Sequence, residues 1–201
     1  MTGRTDGVFI CIEGLDGSGK TTQARLLIHA LRERGYDPAY TTEPSDGIYG
    51  EIIRKRVLQG DLRIPAVIET VLFAVDRFDH IQSTIRPLLD KGKIVVCDRY
   101  VYSSIAYQGA AKLDIQWIEK INRHAIEPHL VIYIDLPPEI VIKRIRRQKS
   151  VMETLRTQEK VREVYLNLVG SSRVKIIDGN NSIECVAKAV NDLVLPLVEG
   201  H

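Results

Sequence analysis

Residues 14–21 read GLDGSGKT and match the spacing GxxxxGK[ST] in full. Gly14, Gly17 and Gly19 allow successive backbone N–H groups to converge on one point, where phosphate oxygens can accept from them. Leu15, Asp16 and Ser18 complete the turn, Lys20 can neutralise β- and γ-phosphate charge, and the Thr21 hydroxyl can ligate Mg²⁺, with Thr22 behind it. An apolar, β-branched run, VFICIE, precedes the loop, and a stretch of helical spacing follows it. The loop would therefore open a helix whose N-terminus adds positive potential at the same point. A glycine-rich turn can serve only to redirect the chain, but such a turn needs neither Lys20 nor Thr21. The combination points to a nucleoside triphosphate such as ATP.

Positioning such a loop requires a strand behind it and a sheet around that strand. Apolar runs at 8–13 (VFICIE), 94–98 (IVVCD) and 130–135 (LVIYID) are too short for helices and read as buried parallel strands, with weaker strands near 38–42 and 173–177. Helical spacing occupies 20–34, 48–59, 65–91, 114–126, 137–148, 153–169 and 182–198. This alternation predicts a three-layer α/β fold with about five parallel strands flanked by helices. Ligands in such folds collect at the carboxyl ends of the strands. No repeat or long linker divides the 201 residues, so one domain over 1–201 is expected.

Composition narrows the function classes. Twenty-eight basic residues against 26 acidic ones are too balanced for a protein that coats nucleic acid. No apolar stretch reaches the roughly 18–20 residues of a membrane span, and no export signal is evident in MTGRTDG and the short apolar run behind it. Three cysteines, two of them in strand-like runs and none in a CxxC spacing, suggest reduced thiols and a cytoplasmic protein. Guanine-specific NKxD is missing, which weakens a GTPase-switch reading.

Four segments together, IEGLDGSGKTTQ (12–23), LFAVDR (72–77), DRYVYSSIAYQG (98–109) and DLPPEIVIKRI (135–145), resemble the thymidylate kinase family from about residue 8 to about 190. The resemblance implies a P-loop NTPase fold with strand order 2-3-1-4-5, a homodimer, and transfer of the ATP γ-phosphoryl group to dTMP. It assigns Arg99 to the dTMP phosphate and Asp98 to the region of the phosphates and metal. Asp16 would reach the acceptor 3′-hydroxyl, Tyr107 would lie against the 2′ carbon, and Arg54 would be a second phosphate ligand. Phe73 and Arg77 are four apart on one predicted helical face. There Phe73 could stack on a pyrimidine and Arg77 donate to O4, which cytosine replaces with a donor.

Ser103, Ser104 and Gln108 could bond the base edge, Ser104 matching the position that faces N3 in similar enzymes. The residues alone also allow plainer roles: Phe73 in the core, Arg77 paired with a surface carboxylate, Asp98 with Arg99 as a structural ion pair, Arg54 on the surface, and Ser103, Ser104 or Gln108 as a helix cap.

A basic run, Lys143, Arg144, Arg146, Arg147 and Lys149, closes the fourth segment. By resemblance it belongs to a short mobile lid near 144–153. Some members of the family carry a basic residue in the P-loop where Gly17 stands here; without it, a lid arginine should be catalytic, Arg147 first and Arg144 next, with Arg144 alternatively on adenine. Two departures from the family pattern bear on this: the lid RRQKSVMET lacks an Asp-Arg pair before Glu153, and EPSDG replaces EPGG. Rival readings are a related kinase for another nucleotide or a deoxynucleoside, and a nucleotide-binding regulator without turnover.

Overall fold

The computed structural model describes residues 7–59, 64–144, 154–169 and 174–200. Five parallel strands, β1 (Phe9–Gly14), β2 (Pro38–Thr42), β3 (Ile94–Asp98), β4 (Leu130–Asp135) and β5 (Val174–Asp178), form one sheet in the order β2-β3-β1-β4-β5. β1 lies in the centre, buried along its whole length, as a continuous apolar strand flanked by helices on both faces should be. Its register with β3 sets Ile12 opposite Asp98, and its register with β4 sets Gly14 opposite Ile134. The carboxyl ends of β1, β3 and β4 therefore meet on one edge.

Alternating side chains send the sheet's apolar content to two faces. On one, Ile10, Ile12, Val96 and Ile132 pack with Ala24, Leu27 and Leu31 of α1 (Lys20–Glu33) and with Val186, Val190 and Val194 of α9 (Ile183–Glu199). On the other, Phe9, Cys11, Cys97 and Tyr133 pack with Ile81 and Ile85, which follow α3 (Ala66–His80), and with Val161 and Tyr165 of α8 (Leu155–Leu168). Each such side chain fully buried contributes about 1.5–3 kcal/mol, so both layers hold the sheet between them.

Helix α2 (Ile48–Ile53) runs into a π-helical turn at Arg54–Leu58, and α3 passes through a second one at Ile81–Ile85 into α4 (Arg86–Leu89). The remaining helices are α5 (Val101–Ala110), α6 (Ile115–Ile121) and α7 (Pro138–Arg144). α5 corrects the sequence reading, which placed no helix after β3. Its sequence, VYSSIAYQGA, is poor in strong helix formers. The missing stabilisation comes from across the sheet: the Glu13 carboxylate on β1 accepts from the N–H groups of Tyr100 (2.7 Å) and Ser103 (3.3 Å), an acidic cap that neighbouring sequence cannot reveal.

One close approach shapes the rim of the site. A Cβ on Gly50 would lie 1.9 Å from the Ser45 carbonyl oxygen, so only glycine lets α2 press against the loop 43–47. That loop is pinned from below by Asp76, which accepts from the Ser45 N–H (2.8 Å) and hydroxyl (2.6 Å).

Candidate active site

Three charged assemblies meet at the carboxyl edge of the sheet. The first is the loop itself. Gly14 turns at φ 151 where a Cβ would strike Ser18 Oγ at 2.6 Å and the Ile134 carbonyl at 2.7 Å. Among the described residues no side chain caps α1, whose N-cap is Gly19, which leaves its first-turn N–H groups to a ligand. Lys20 is buried and donates from Nζ to the Leu15 carbonyl at 2.6 Å. Burial first, and the neighbouring Arg99 guanidinium second, push its pKa down to about 8. Thr21 Oγ1 donates to Asp98 Oδ2, while Asp98 Oδ1 is buried without a hydrogen-bond partner among the described residues. A hydroxyl and a carboxylate with an unused oxygen are hard donors of the kind Mg²⁺ takes.

The second assembly is built on Arg99. It is a non-glycine residue at φ 74, a left-handed conformation that costs of order 1–3 kcal/mol and needs fixing from outside. Its N–H donates to the Ile12 carbonyl at 3.1 Å and its carbonyl accepts from the Cys97 thiol at 3.0 Å. The guanidinium bonds Asp16 Oδ1, donates to Ser103 Oγ at 3.0 Å, and lies 5.2 Å from the centre of the Tyr107 ring. Tyr107 in turn donates to Asp16 Oδ2 at 3.0 Å. Burial would raise the Asp16 pKa, but Arg99 and then Lys20 outweigh it and bring it to about 2, so the carboxylate is charged at any working pH.

Behind Arg99 stands Glu13. Its Oε2 accepts from Ser103 Oγ (2.6 Å) and from the Tyr165 hydroxyl (2.8 Å), which ties α8 to the same point. Complete burial raises the Glu13 pKa against the lowering effect of these bonds.

The third assembly is a cavity of about 280 Å³ between α3, α5 and the loop 43–47. Asp16, Arg54, Phe73, Arg77, Arg99, Ser103, Ser104, Tyr107 and Gln108, all nominated from sequence, line it, together with Glu43, Pro44 and Tyr100 among others. Phe73 is half-buried there. Arg77 is 1% exposed and heavily engaged: it bonds Glu43 through Nε (2.9 Å) and Nη2 (2.7 Å), Asn122 Oδ1 at 2.6 Å and Ser104 Oγ at 3.1 Å. It is thus a rigid, charge-paired wall of the cavity, and its carboxylate partner is buried Glu43. Arg54 donates to the carbonyls of Pro44 (3.0 Å) and Ser45 (2.6 Å). Ser103 is occupied by Glu13 and Arg99, while Ser104 and Gln108 sit one turn apart on α5.

Arg144 is exposed at the end of α7. Arg147, with the run from 145 to 153, lies outside the described residues. At the end of β5, Asn180 N–H bonds Asp178 Oδ1 (2.9 Å) and Ser182 caps α9 at Cys185 N–H (3.2 Å), an ordered turn. Sequence reasoning missed Glu13, Glu69, Asp76 and Asn122 as supports. Only Glu13 left a signal, an acid ending an otherwise apolar strand.

A GxxxxGK[ST] loop after the central strand of a 2-3-1-4-5 parallel sheet, with a cavity walled by arginines at the same edge, defines a P-loop fold. The thymidylate kinase family matches residues 12–190. A probable thymidylate kinase of Thermococcus gammatolerans is 41% identical over 199 residues, covering 94% of this chain and 96% of the relative. One from Thermococcus onnurineus is 43% identical over 93% and 95% of the two chains, and a thymidylate kinase of Symbiobacterium thermophilum is 41% identical over 93% and 92%. The chain belongs to the thymidylate kinase family.

Lys20 gives this site a measurable pH signature. Its folded pKa lies below the unfolded 10.5, so the charge opposes folding fully below pH 8 and stability rises as pH climbs from 8 toward 10.5. A bound phosphate would return the pKa upward, and nucleotide binding at pH 8.5 is then expected to take up roughly 0.7 proton. Calorimetry of ADP binding in buffers of different ionisation enthalpy measures this. Uptake that vanishes below pH 7 and in Lys20→Arg supports the assignment; no uptake at pH 8.5 contradicts it.

Proposed function

We propose that the chain transfers the γ-phosphoryl group of ATP to dTMP, yielding dTDP and ADP. The observation that carries this reading is that one cavity gathers all nine residues nominated for the acceptor site, two of which, Arg99 and Asp16, are electrostatic neighbours of Lys20 in the loop. Lys20 would hold the β/γ-phosphates, and Arg99, with Arg54 at the rim, the acceptor phosphate, for in-line attack. That phosphate is already ionised, so no strong general base is needed.

Arg99 is shared in this scheme. In the free site Asp16 neutralises it; an acceptor phosphate offers a competing anion, and Asp16 is then free to accept from the sugar 3′-hydroxyl. Tyr107, fixed by its bond to Asp16, would crowd the 2′ position and select deoxyribose. Phe73 would stack on the base. Thr21 and Asp98 would hold Mg²⁺, which when bound neutralises charge on the phosphates. Arg147, and Arg144 beside it, are the candidates for stabilising the transferred group, since such an arginine is worth roughly 10³–10⁵ in rate.

We further propose a homodimer in the cytoplasm. Ile48 and Ile52 on α2 and Val67, Ile68, Val71 and Val75 on α3 are 36–74% exposed, an apolar ridge on adjacent helices that a second copy would cover. Both strand cysteines are buried and free, in keeping with a reducing compartment. Sedimentation should find a dimer that Val71→Asp converts to a folded monomer; a monomeric wild type at micromolar concentration contradicts the dimer.

Acceptor choice tests the function. With Mg-ATP, ADP production is expected to be fastest with dTMP, slower with dUMP by roughly 10–200-fold in kcat/KM for the missing methyl, and far slower with dCMP, UMP, AMP and thymidine. A different best acceptor would leave the P-loop reading intact and remove the base-site assignment.

A further inference from the structure

Gln108 lies on α5, one turn past Ser104, and both line the acceptor cavity. A glutamine amide can offer a ligand either its N–H groups or its carbonyl oxygen. Here the choice is made from behind. Gln108 Nε2 donates to Oε1 of Glu69 on α3 at 2.7 Å, and the two residues are 2% and 1% exposed. Reversing the amide would set two oxygens against each other in a buried place, at the cost of both the bond and an unmet acceptor. Gln108 Oε1 is thereby left over, buried and without a hydrogen-bond partner among the described residues.

The neighbouring groups have the opposite character. Arg77 has donors only, and because it donates to Ser104 Oγ at 3.1 Å, the Ser104 proton remains to be given. At this end of the cavity the fixed donors of Arg77 therefore stand near a fixed acceptor on Gln108.

We infer that Glu69 is a positioning residue for base specificity: it compels Gln108 to present an acceptor to the cavity. The inference rests on the thymidylate reading of that cavity. On a thymine edge O2 and O4 accept and only N3–H donates, so an acceptor in the wall has one partner there. Cytosine carries no proton on N3, and its amino group would meet the donors of Arg77. Glu69 and Gln108 thus add a second point of rejection to the one Arg77 supplies, and they do so without Glu69 touching the substrate.

The test is Glu69→Gln, in which residue 69 can donate as well as accept and the Gln108 amide can turn. The ratio of kcat/KM for dTMP over dCMP is expected to fall by roughly tenfold or more, with KM for ATP unchanged. N3-methyl dTMP, which lacks the proton, should be rejected by the wild type and less so by the variant. Combining Glu69→Gln with Gln108→Glu lets residue 69 donate and residue 108 present oxygens again, and should restore the ratio to within about twofold of wild type. An equal loss for every acceptor in the single variant, with no recovery in the double variant, would overturn the proposal and leave Glu69 a packing residue. If the single variant does not fold, the double variant's ratio alone decides. A wild-type protein without preference for dTMP over dCMP would instead overturn the reading of the cavity.

Discussion

The parallel pairing of β1 with β3, Ile12 opposite Asp98, is the constraint on which the site depends. It delivers the glycine loop after β1 and the Asp98-Arg99 pair at the end of β3 to the same edge, with no freedom to slide, because a one-residue slip would turn the buried side chains of the slipped strand to the wrong face. From that register follow the bond between Thr21 and Asp98 and the contact between Asp16 and Arg99, the two links that join the loop to the neighbouring cavity. Arg99 is the residue that both sides share, and its left-handed backbone is held by β1, by Cys97 and by the Glu13–Ser103 pair.

Buried charge is organised by the same logic at each arginine. Arg77 is satisfied by Glu43, Asn122 and Ser104, and Arg99 by Asp16 and Ser103. Desolvated guanidinium groups are costly unless paired, and such pairs contribute less to stability than to a unique arrangement of the groups around them. The two differ in how replaceable their partners are. Arg77 is sealed at 1% exposure and acts as a fixed wall, whereas Arg99 and Asp16 keep 17% and 27% of their side chains open and can exchange partners with an entering anion.

Much of this was legible in the sequence. GLDGSGKT announced a phosphate loop because each of its residue types answers a geometric need, and the strand runs IVVCD and LVIYID appear in the fold at those positions. Helix α5 was not legible, since its N-terminus is capped by Glu13, 87 residues away from Tyr100. The plain alternative for Arg77, pairing with a surface carboxylate, holds only for the pairing: the partner, Glu43, is buried and lies 34 residues away in sequence, so only the fold brings it there. Residues that touch a ligand carry types and spacings that chemistry explains. Glu13, Glu69 and Asn122, which hold those residues in place, are recognisable only through their partners.

The most direct measurement is a structure of the protein with ADP, dTMP and an aluminium fluoride mimic of the transferred group. Arg99 on the dTMP phosphate at about 2.7–2.9 Å, with Asp16 turned from Arg99 to the 3′-hydroxyl, is the arrangement this account predicts. An intact pair between Asp16 and Arg99, with the dTMP phosphate bound elsewhere, would contradict it.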